Sequence, residues 1–382
     1  MKAWSARATV AALAALAAAE VSAVRHVGFE TDAFNKTYPA SNRGTFVFSP
    51  ASFEVDCVLV AESLDVIPKA DISAMMGVVI DFPSAYIPVL EGLGNRTNGF
   101  SFISARGFCV PDIRKASVAT RLALQRDYGA EVMRLMPKEG AEAWFKTMLD
   151  GEMGDFSISP SVSASDRFSF YDLVSFSVAW EEPFPPENAV QLPFRPDGAT
   201  NDVEVAAISD VRVADVWETK EYSLLMLPLK GGSTFFGFLP KEGFSISDAR
   251  VDITSLEIDG LLSLVGAGPE RGVRRGPCRI VIPRLEISSR TDFTGAFRYF
   301  RIPTAGLHSV AGEASGREFV QFAKFSLANC APGEKPVPRE DGDGASPAQA
   351  EARNMVFNRP FVFFVYHSGT ATIPVAGQFA GP

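Results

Sequence analysis

The apolar residues of this chain fall into short runs and alternations typical of strands, and the strongest lies near the C-terminus. Residues 361–366 read FVFFVY, six consecutive aromatic or Val residues. Such a run favours a strand covered on both faces. Pro360 suits a strand start, and Ser368-Gly369 is turn chemistry before a second apolar run at residues 370–376. The pattern predicts a buried β-hairpin around which the rest of the chain is assembled.

Periodicity elsewhere predicts a mixture of helices and strands, without an internal repeat. Helical spacing and capping residues predict helices over residues 29–38, 53–64, 113–131 and 139–149. Alternating or continuously apolar segments predict strands over residues 45–48, 100–110, 168–180 and 318–327, a hairpin over 222–239, and a strand pair over 278–294. The length of 382 residues, taken alone, favours two domains.

Composition narrows the possible functions. The chain is 47% hydrophobic with a net charge of −9, which indicates a soluble protein with a sizeable core and argues against general nucleic-acid binding. Only three histidines are present, so we predict no metal, cofactor or catalytic site, and no enzyme activity. The four cysteines allow three pairings, and their spacing favours none: Cys57, Cys109, Cys278 and Cys330.

The N-terminus has the organisation of a secretory signal. A basic start precedes an apolar stretch at residues 8–19, and small residues at 21–23 suit cleavage. The apolar stretch is shorter than the roughly 20 residues that a membrane-spanning helix needs. We therefore expect a signal peptide over residues 1–23 and a mature chain over 24–382, secreted or, in a bacterium, periplasmic. The alternative is an Ala-rich helix that stays attached.

Residues 331–353, APGEKPVPREDGDGASPAQAEAR, are the one compositional break in the chain. They hold several prolines and clustered charges but no large aliphatic run, which predicts an exposed loop. Loops longer than about 12–15 residues inside a domain are uncommon and usually functional or disordered. Because this loop separates two well-formed strands, a domain linker is not the simplest interpretation.

Several motifs together resemble the serpin family. Residues 356–365, VFNRPFVFFV, resemble its C-terminal signature, and residues 375–379, VAGQF, are similar to its closing strand. Phe48-Ser49-Pro50-x-Ser52 is similar to the opening of the family's second helix. Trp180-x-x-Pro183-Phe184 resembles the end of its central strand. The blocks occur in the family's order over about residues 29–379.

This resemblance implies one α+β domain, which overrules the two-domain expectation. Helices would pack around three mainly antiparallel β-sheets, with residues 331–353 as an exposed reactive-centre loop. In the family a serine or cysteine protease cleaves this loop as bait. The loop then inserts as a new strand into the main sheet and distorts the attached protease. We therefore expect a monomeric, secreted protein of the serine-type endopeptidase inhibitor class, with an extracellular protease as partner.

The resemblance also implies roles for individual residues. Those assigned to the shutter and breach, which control opening of the main sheet, are Ser49, Ser52, Asp172 (in place of the family's Asn), Trp180 and Arg284. Those assigned to the hinge are Asn329, Pro332, Gly333, Glu334, Lys335, Pro336 and Pro338. Counting from either end of the loop gives two scissile candidates, Pro347-Ala348 and Gln349-Ala350, and Arg353 suits a trypsin-like protease.

The hinge departs from what insertion requires. Its three prolines remove donors from any new strand ladder, and Glu334 or Lys335 would be carried into the core. The family's hinge glutamate also lacks a clear match, which would leave Arg284 without that partner. Two hypotheses follow: a protease-trapping inhibitor, and a non-inhibitory serpin-fold binding or structural protein.

Overall fold

The elements of the chain are defined in a computed structural model that describes residues 29–37 except 31 and 35, 44–63, 82–134, 138–148, 167–247, 272–300, 302, 310, 315–335 and 352–382. Besides helical residues within 29–37, the helices whose bounds are defined in the described part are α1 (Pro50–Glu62), α2 (Phe82–Gly94), α3 (Val118–Tyr128), α4 (Lys138–Met148) and α5 (Thr294–Tyr299). The strands are β1 (Phe46–Phe48), β2 (Phe100–Val110), β3 (Ala130–Arg134), β4 (Arg167–Ala179), β5 (Ala189–Phe194), β6 (Val203–Glu218), β7 (Tyr222–Leu229), β8 (Ser233–Pro240), β9 (Arg274–Pro283), β10 (Glu286–Asp292), β11 (Ser315–Ala328), β12 (Arg353–Val356), β13 (Phe361–His367) and β14 (Thr372–Phe379).

The strands of the described part form two sheets. The larger has the order β1-β14-β13-β8-β7-β6-β9-β12, with β5 added to β6, and the smaller has the order β10-β11-β4-β2-β3. Antiparallel pairs predominate, and β4–β11, β2–β3 and β9–β12 are parallel. The α+β fold is confirmed. The long strand β6 pairs with β5, β7 and β9 along different parts of its length. It thereby links strands that were expected to form two separate sheets into one continuous sheet.

The C-terminal hairpin is as buried as its apolar run predicts. β13 lies between β8 and β14, so both of its edges are hydrogen-bonded. Phe361, Phe363 and Val365 pack into one hydrophobic cluster, while Val362 and Phe364 pack into another on the opposite face. This two-sided covering explains why the run is continuously apolar rather than alternating.

Helix α1 lies inside the molecule. Its N-cap Ser49 accepts a hydrogen bond from the backbone N–H of Ser52, and Pro50 occupies the first turn, where no donor is needed. The helix is buried from Pro50 to Ala61, so its polar residues must find partners in the protein. The partners of Ser52 and Asp56 come from the smaller sheet, whereas Tyr86 of α2 bonds Glu54; both sets are described below.

The predicted helix over residues 113–131 is wrong at both ends. A short 3₁₀ turn precedes α3, and Gly129, at a φ of 62°, ends it. Ala130 then starts β3.

The predicted pair over 278–294 is real as two strands, but β9 and β10 belong to different sheets. All four cysteines are free thiols, so no pairing is made among them. No described helix is long and apolar enough to cross a membrane.

A buried acidic pair joins the N-terminal helical residues to the C-terminal hairpin. One carboxylate oxygen of Glu30 accepts a 2.6 Å hydrogen bond from the backbone N–H of Ile373. Tyr86 donates a 2.8 Å hydrogen bond to Glu54. Burial, together with the neighbouring Glu54, raises the pKa of Glu30 well above its usual range.

We expect the Phe363→Ala variant to lose about 3–5 kcal/mol of unfolding free energy, because a fully buried ring is removed from a packed strand. Urea denaturation measures this loss. Leu122→Ala is the matched control, since Leu122 is 61% exposed and its removal leaves no cavity. Equal urea midpoints for the two variants would contradict the burial of β13.

We expect Glu30 to make the unfolding free energy fall with rising pH, because its pKa is raised in the folded protein. Its proton is retained in the folded protein but released by the unfolded chain near the ordinary pKa of 4.5. The contribution is therefore complete below that pH and is lost as pH rises towards the raised folded pKa, at most about 1.4 kcal/mol per pH unit. Between about pH 5 and 8, the unfolding free energy measured by chemical denaturation should decline more steeply for the wild type than for Glu30→Gln. The exposed Glu187→Gln variant should keep the wild-type slope.

Candidate functional site

Strands β4 and β11 are parallel neighbours in the middle of the smaller sheet, and their contact is called the seam here. Their register runs from Ser315 beside Arg167 to Ala328 beside Ala179, with one irregularity near Gly316. The seam is therefore closed along its length. The loop begins just after the C-terminal end of β11, and this end of the sheet is called its top here. A strand can enter this sheet between β4 and β11 only if these hydrogen bonds separate.

One polar rung crosses the centre of the sheet. Arg106 of β2 is paired in register with Asp172 of β4, which is paired with Gln321 of β11. The Nε2 group of Gln321 donates to Oδ2 of Asp172 at 2.8 Å, directly across the seam. It also donates to the carbonyl of Ser49, at 3.1 Å. The Oε1 atom of Gln321 accepts from the Ser49 backbone N–H, at 2.6 Å.

Helix α1 completes the network from below. Ser52 donates to Oδ1 of Asp172 at 3.0 Å. Arg106, only 2% exposed, donates through Nη2 to Ser52 and through Nε to Oδ1 of Asp56, at 2.8 Å. Burial and the nearby Asp172 raise the pKa of Asp56 well above its usual range, and Arg106 opposes this shift. Beneath the seam, a single buried cation thus faces two acidic side chains.

The resemblance predicted Ser49, Ser52 and Asp172 at this place, and the structure brings all three together. It missed Gln321, Arg106 and Asp56. Gln321 stands in β11, and its long amide reaches both Asp172 and the N-terminus of α1. Arg106 and Asp56 lie 50 residues apart, so only the strand register and the position of α1 reveal their contact.

The two residues that the resemblance assigns to the breach, Trp180 and Arg284, lie near the C-terminal end of the seam. Trp180 continues β4, its backbone N–H donates to the carbonyl of Ala328, and its ring packs edge-on against Phe184 and Phe235. Arg284 follows β9. Its guanidinium has neither an ion pair nor a hydrogen bond among the described residues.

The hinge is folded into a turn. The backbone N–H of Glu334 donates to the carbonyl of Ala331 at 3.0 Å, and Gly333 has a φ of 82°. Pro332 and Gly333 thus occupy the two central positions, as in a type II β-turn. We call residues 331–334 the hinge turn. Its sequence favours a chain reversal at the place where insertion requires an extended strand.

Side chains hold the hinge turn against the top of the sheet. Asn329 exchanges two hydrogen bonds of 2.8 Å with the backbone of Phe184. Glu334 forms a 3.3 Å ion pair with Lys230, in the β7–β8 turn.

Ala331, the first residue of the hinge turn, is buried and lies close to Gly99. A Cβ placed on Gly99 would lie only 2.9 Å from that of Ala331. Gly99 precedes β2, so the hinge crosses the top of β4 rather than entering the seam.

The remaining predicted loop residues are only partly described. Pro332, Gly333, Glu334 and Lys335 are exposed. Pro336, Pro338, Pro347, Ala348, Gln349 and Ala350 lie outside the described residues. Arg353 is the first residue of β12, where it pairs in register with Cys278 and donates to the carbonyl of Arg274. A scissile bond at Arg353 would therefore lie at the start of a paired strand.

Comparison with known proteins agrees with this architecture. The sequence model described as "Serpin (serine protease inhibitor)" matches residues 27–382. The chain is a serpin. No curated protein matches it in sequence. The family name describes inhibitors rather than enzymes.

Solved serpins share the fold at low sequence identity. Native protease nexin-1 with heparin is 16% identical, with a TM-score of 0.77 over 95% of this chain and 99% of that one. Uncleaved ovalbumin is 15% identical, with a TM-score of 0.76 over 94% and 99%. Human thyroxine-binding globulin with thyroxine is 13% identical, with a TM-score of 0.77 over 95% and 98%. At these identities the likeness shows the fold alone.

We expect Arg106→Met to destabilise this serpin by about 3–5 kcal/mol, because it leaves two buried acidic groups without their cation. Adding Asp56→Asn should recover part of the loss by removing one of those groups. Chemical denaturation measures both. Arg114→Met, at an 87% exposed arginine, should leave the midpoint unchanged. An Arg106→Met variant with the denaturation midpoint of the wild type would show that the rung carries no net stabilisation.

Proposed function

We propose that this serpin is secreted and presents residues 331–353 as bait to a serine-type or cysteine endopeptidase. It would thereby belong to the serine-type endopeptidase inhibitor class. The observation that carries the proposal is the closed five-stranded sheet, in which parallel β4 and β11 are direct neighbours and the loop starts at the end of β11. This is the arrangement that a loop must have before it is cut and inserted.

The chemistry of such an inhibitor is mechanical. A protease attacks a loop carbonyl and becomes acylated, and the cut loop then enters the seam as a new strand. Insertion gains ladder hydrogen bonds and apolar contacts, which drive the movement. In this serpin, insertion of the loop must also break the buried hydrogen bond between Gln321 and Asp172. A hydrogen bond to a charged group contributes about 1.5–3 kcal/mol.

A second candidate function is a serpin-fold binding protein that does not trap proteases, and the hinge turn favours it. Entry of the loop must open the turn, break the Glu334–Lys230 pair and release Asn329 from Phe184. Pro332 then offers no N–H to a ladder. Thyroxine-binding globulin, among the solved structures of similar fold, is a serpin named for binding a small molecule.

A panel of serine and cysteine proteases separates these functions on a denaturing gel. A band that joins serpin and protease indicates trapping. Clean cleavage within residues 331–353, identified by N-terminal sequencing, indicates bait that is cut without trapping and supports the second function. A first cut in α3 or α4, with the loop intact, would contradict the proposal that these residues are the bait.

We expect cleavage in the loop to leave the melting temperature nearly unchanged. Each of Pro332, Pro336 and Pro338 would leave a buried acceptor unpaired at about 1–3 kcal/mol, and an inward Glu334 or Lys335 adds more. These costs approach the 5–15 kcal/mol that is about the whole stability of a typical domain. Calorimetry before and after nicking measures the shift.

The comparison variant replaces the nine residues 332–340 with the eight residues Gly-Thr-Glu-Ala-Ala-Ala-Ala-Thr, a small-residue hinge without prolines that is one residue shorter. Its nicked form should melt on the order of 10 °C or more above its intact form, because each kcal/mol gained by insertion raises the melting temperature by a few degrees. A comparable rise in the nicked wild type would show that the native hinge does insert. That result would favour protease trapping over the second candidate function.

A further inference from the structure

Arg212 of β6 is a buried arginine whose orientation is fixed by a neighbouring carboxylate. It is 7% exposed, and its Nε and Nη2 groups donate to Oδ2 of Asp210 at 3.0 and 2.7 Å. Oδ1 of Asp210 accepts from the backbone N–H of Val211 at 2.8 Å. Because both oxygens of the carboxylate are bonded, the guanidinium is held in one orientation.

The same guanidinium contacts residues 182–184, between β4 and β5, which we call the clamped segment. Nη1 donates to the carbonyl of Glu182 at 2.8 Å, and Nη2 donates to that of Pro183 at 3.2 Å. The guanidinium carbon lies 3.8 Å from the centre of the Phe184 ring, as in a cation–π contact. Arginine suits this position because its planar group can bond two carbonyls and stack on a ring at the same time.

The clamped segment is bonded in turn to the first residue after β11. That residue, Asn329, exchanges its two hydrogen bonds with the backbone of Phe184. Arg212 therefore contacts the ring of Phe184, while Asn329 contacts its backbone. Entry of the loop into the seam must separate Asn329 from Phe184, so a group that holds Phe184 in place opposes this movement.

We propose that Arg212 is a positioning residue for the hinge, which it holds in the uninserted conformation through Phe184. With the guanidinium in place, the backbone of Phe184 stays where Asn329 can bond to it. Loss of the guanidinium frees the clamped segment, which weakens the bonds of Asn329 and lets the residues after β11 move. The larger sheet thereby controls a movement that takes place in the smaller one. This inference goes beyond the proposed function and holds whether or not a protease is trapped.

Hydrogen–deuterium exchange followed by mass spectrometry measures the hinge directly. The backbone N–H groups of Ala331 and Glu334 are hydrogen-bonded within the hinge turn, so their exchange reports its opening. Arg212→Lys keeps a positive charge beside Asp210 but loses the planar group that bonds two carbonyls. It should accelerate exchange of the hinge turn by about threefold or more, and leave exchange over residues 361–367 of β13 unchanged.

A double-variant cycle tests whether Arg212 acts through Asn329. Asn329→Ala removes the same connection at its other end and should itself accelerate exchange of the hinge turn. In that background Arg212→Lys should have less than about half of its effect in the wild type, because two changes along one route are not additive. Arg275→Lys is the matched control, since Arg275 is a 72% exposed arginine that pairs with Asp215 of β6. It should leave exchange of the hinge turn unchanged.

Three outcomes would overturn the proposal. They are unchanged exchange in Arg212→Lys, the same acceleration by Arg212→Lys with and without Asn329→Ala, and an equal acceleration over residues 361–367. The last would indicate global unfolding rather than release of the hinge. If Arg212→Lys does not fold, Phe184→Leu takes its place in the same cycle, because it removes the ring under the guanidinium and keeps the backbone that Asn329 binds.

Discussion

The side chain of Asp172 is a fully buried carboxylate at the centre of the smaller sheet. A buried carboxylate is tolerated only where hydrogen-bond donors surround it. Those donors come from Gln321 on β11 and Ser52 on α1, with Arg106 of β2 close by. A shift of one residue in either strand would turn its donor to the other face of the sheet. The register of β2, β4 and β11 and the position of α1 are therefore fixed together by one buried acid.

The parts of this fold that were predictable from sequence are those with local signals. The run at residues 361–366 carries its burial in its own composition, and Gly231-Gly232 marks the tight turn before β8. The error over 113–131 has a local cause as well, because Gly129 permits both a helix end and a strand start. The long-range contacts of the rung had no such signal. Arg106, Asp56 and Gln321 lie in separate segments and meet only through the three-dimensional register.

The hinge combines both kinds of information. Its prolines and charges were readable as obstacles to insertion, but the turn that Pro332 and Gly333 form, and its attachment to Lys230, were not. A proline and a glycine at the middle of a turn lower the cost of the reversed conformation, because the proline is already restricted and the glycine accepts a positive φ. The free energy that opposes insertion thus lies in the starting conformation of the loop as well as in the strand it would form.

The state of the cysteines has a practical consequence for following the hinge. Cys57, Cys109 and Cys278 are buried, whereas Cys330 is partly exposed and lies immediately before the hinge turn. Burial also raises the pKa of Cys109 to about 12 and that of Cys278 to about 11, which suppresses their reactive thiolate forms. Partial burial and the neighbouring Glu334 raise the pKa of Cys330 as well, so it is the solvent exposure of Cys330 that directs a thiol-directed fluorophore to it at mildly alkaline pH. The native sequence thereby supplies an optical reporter of hinge position, without an engineered cysteine.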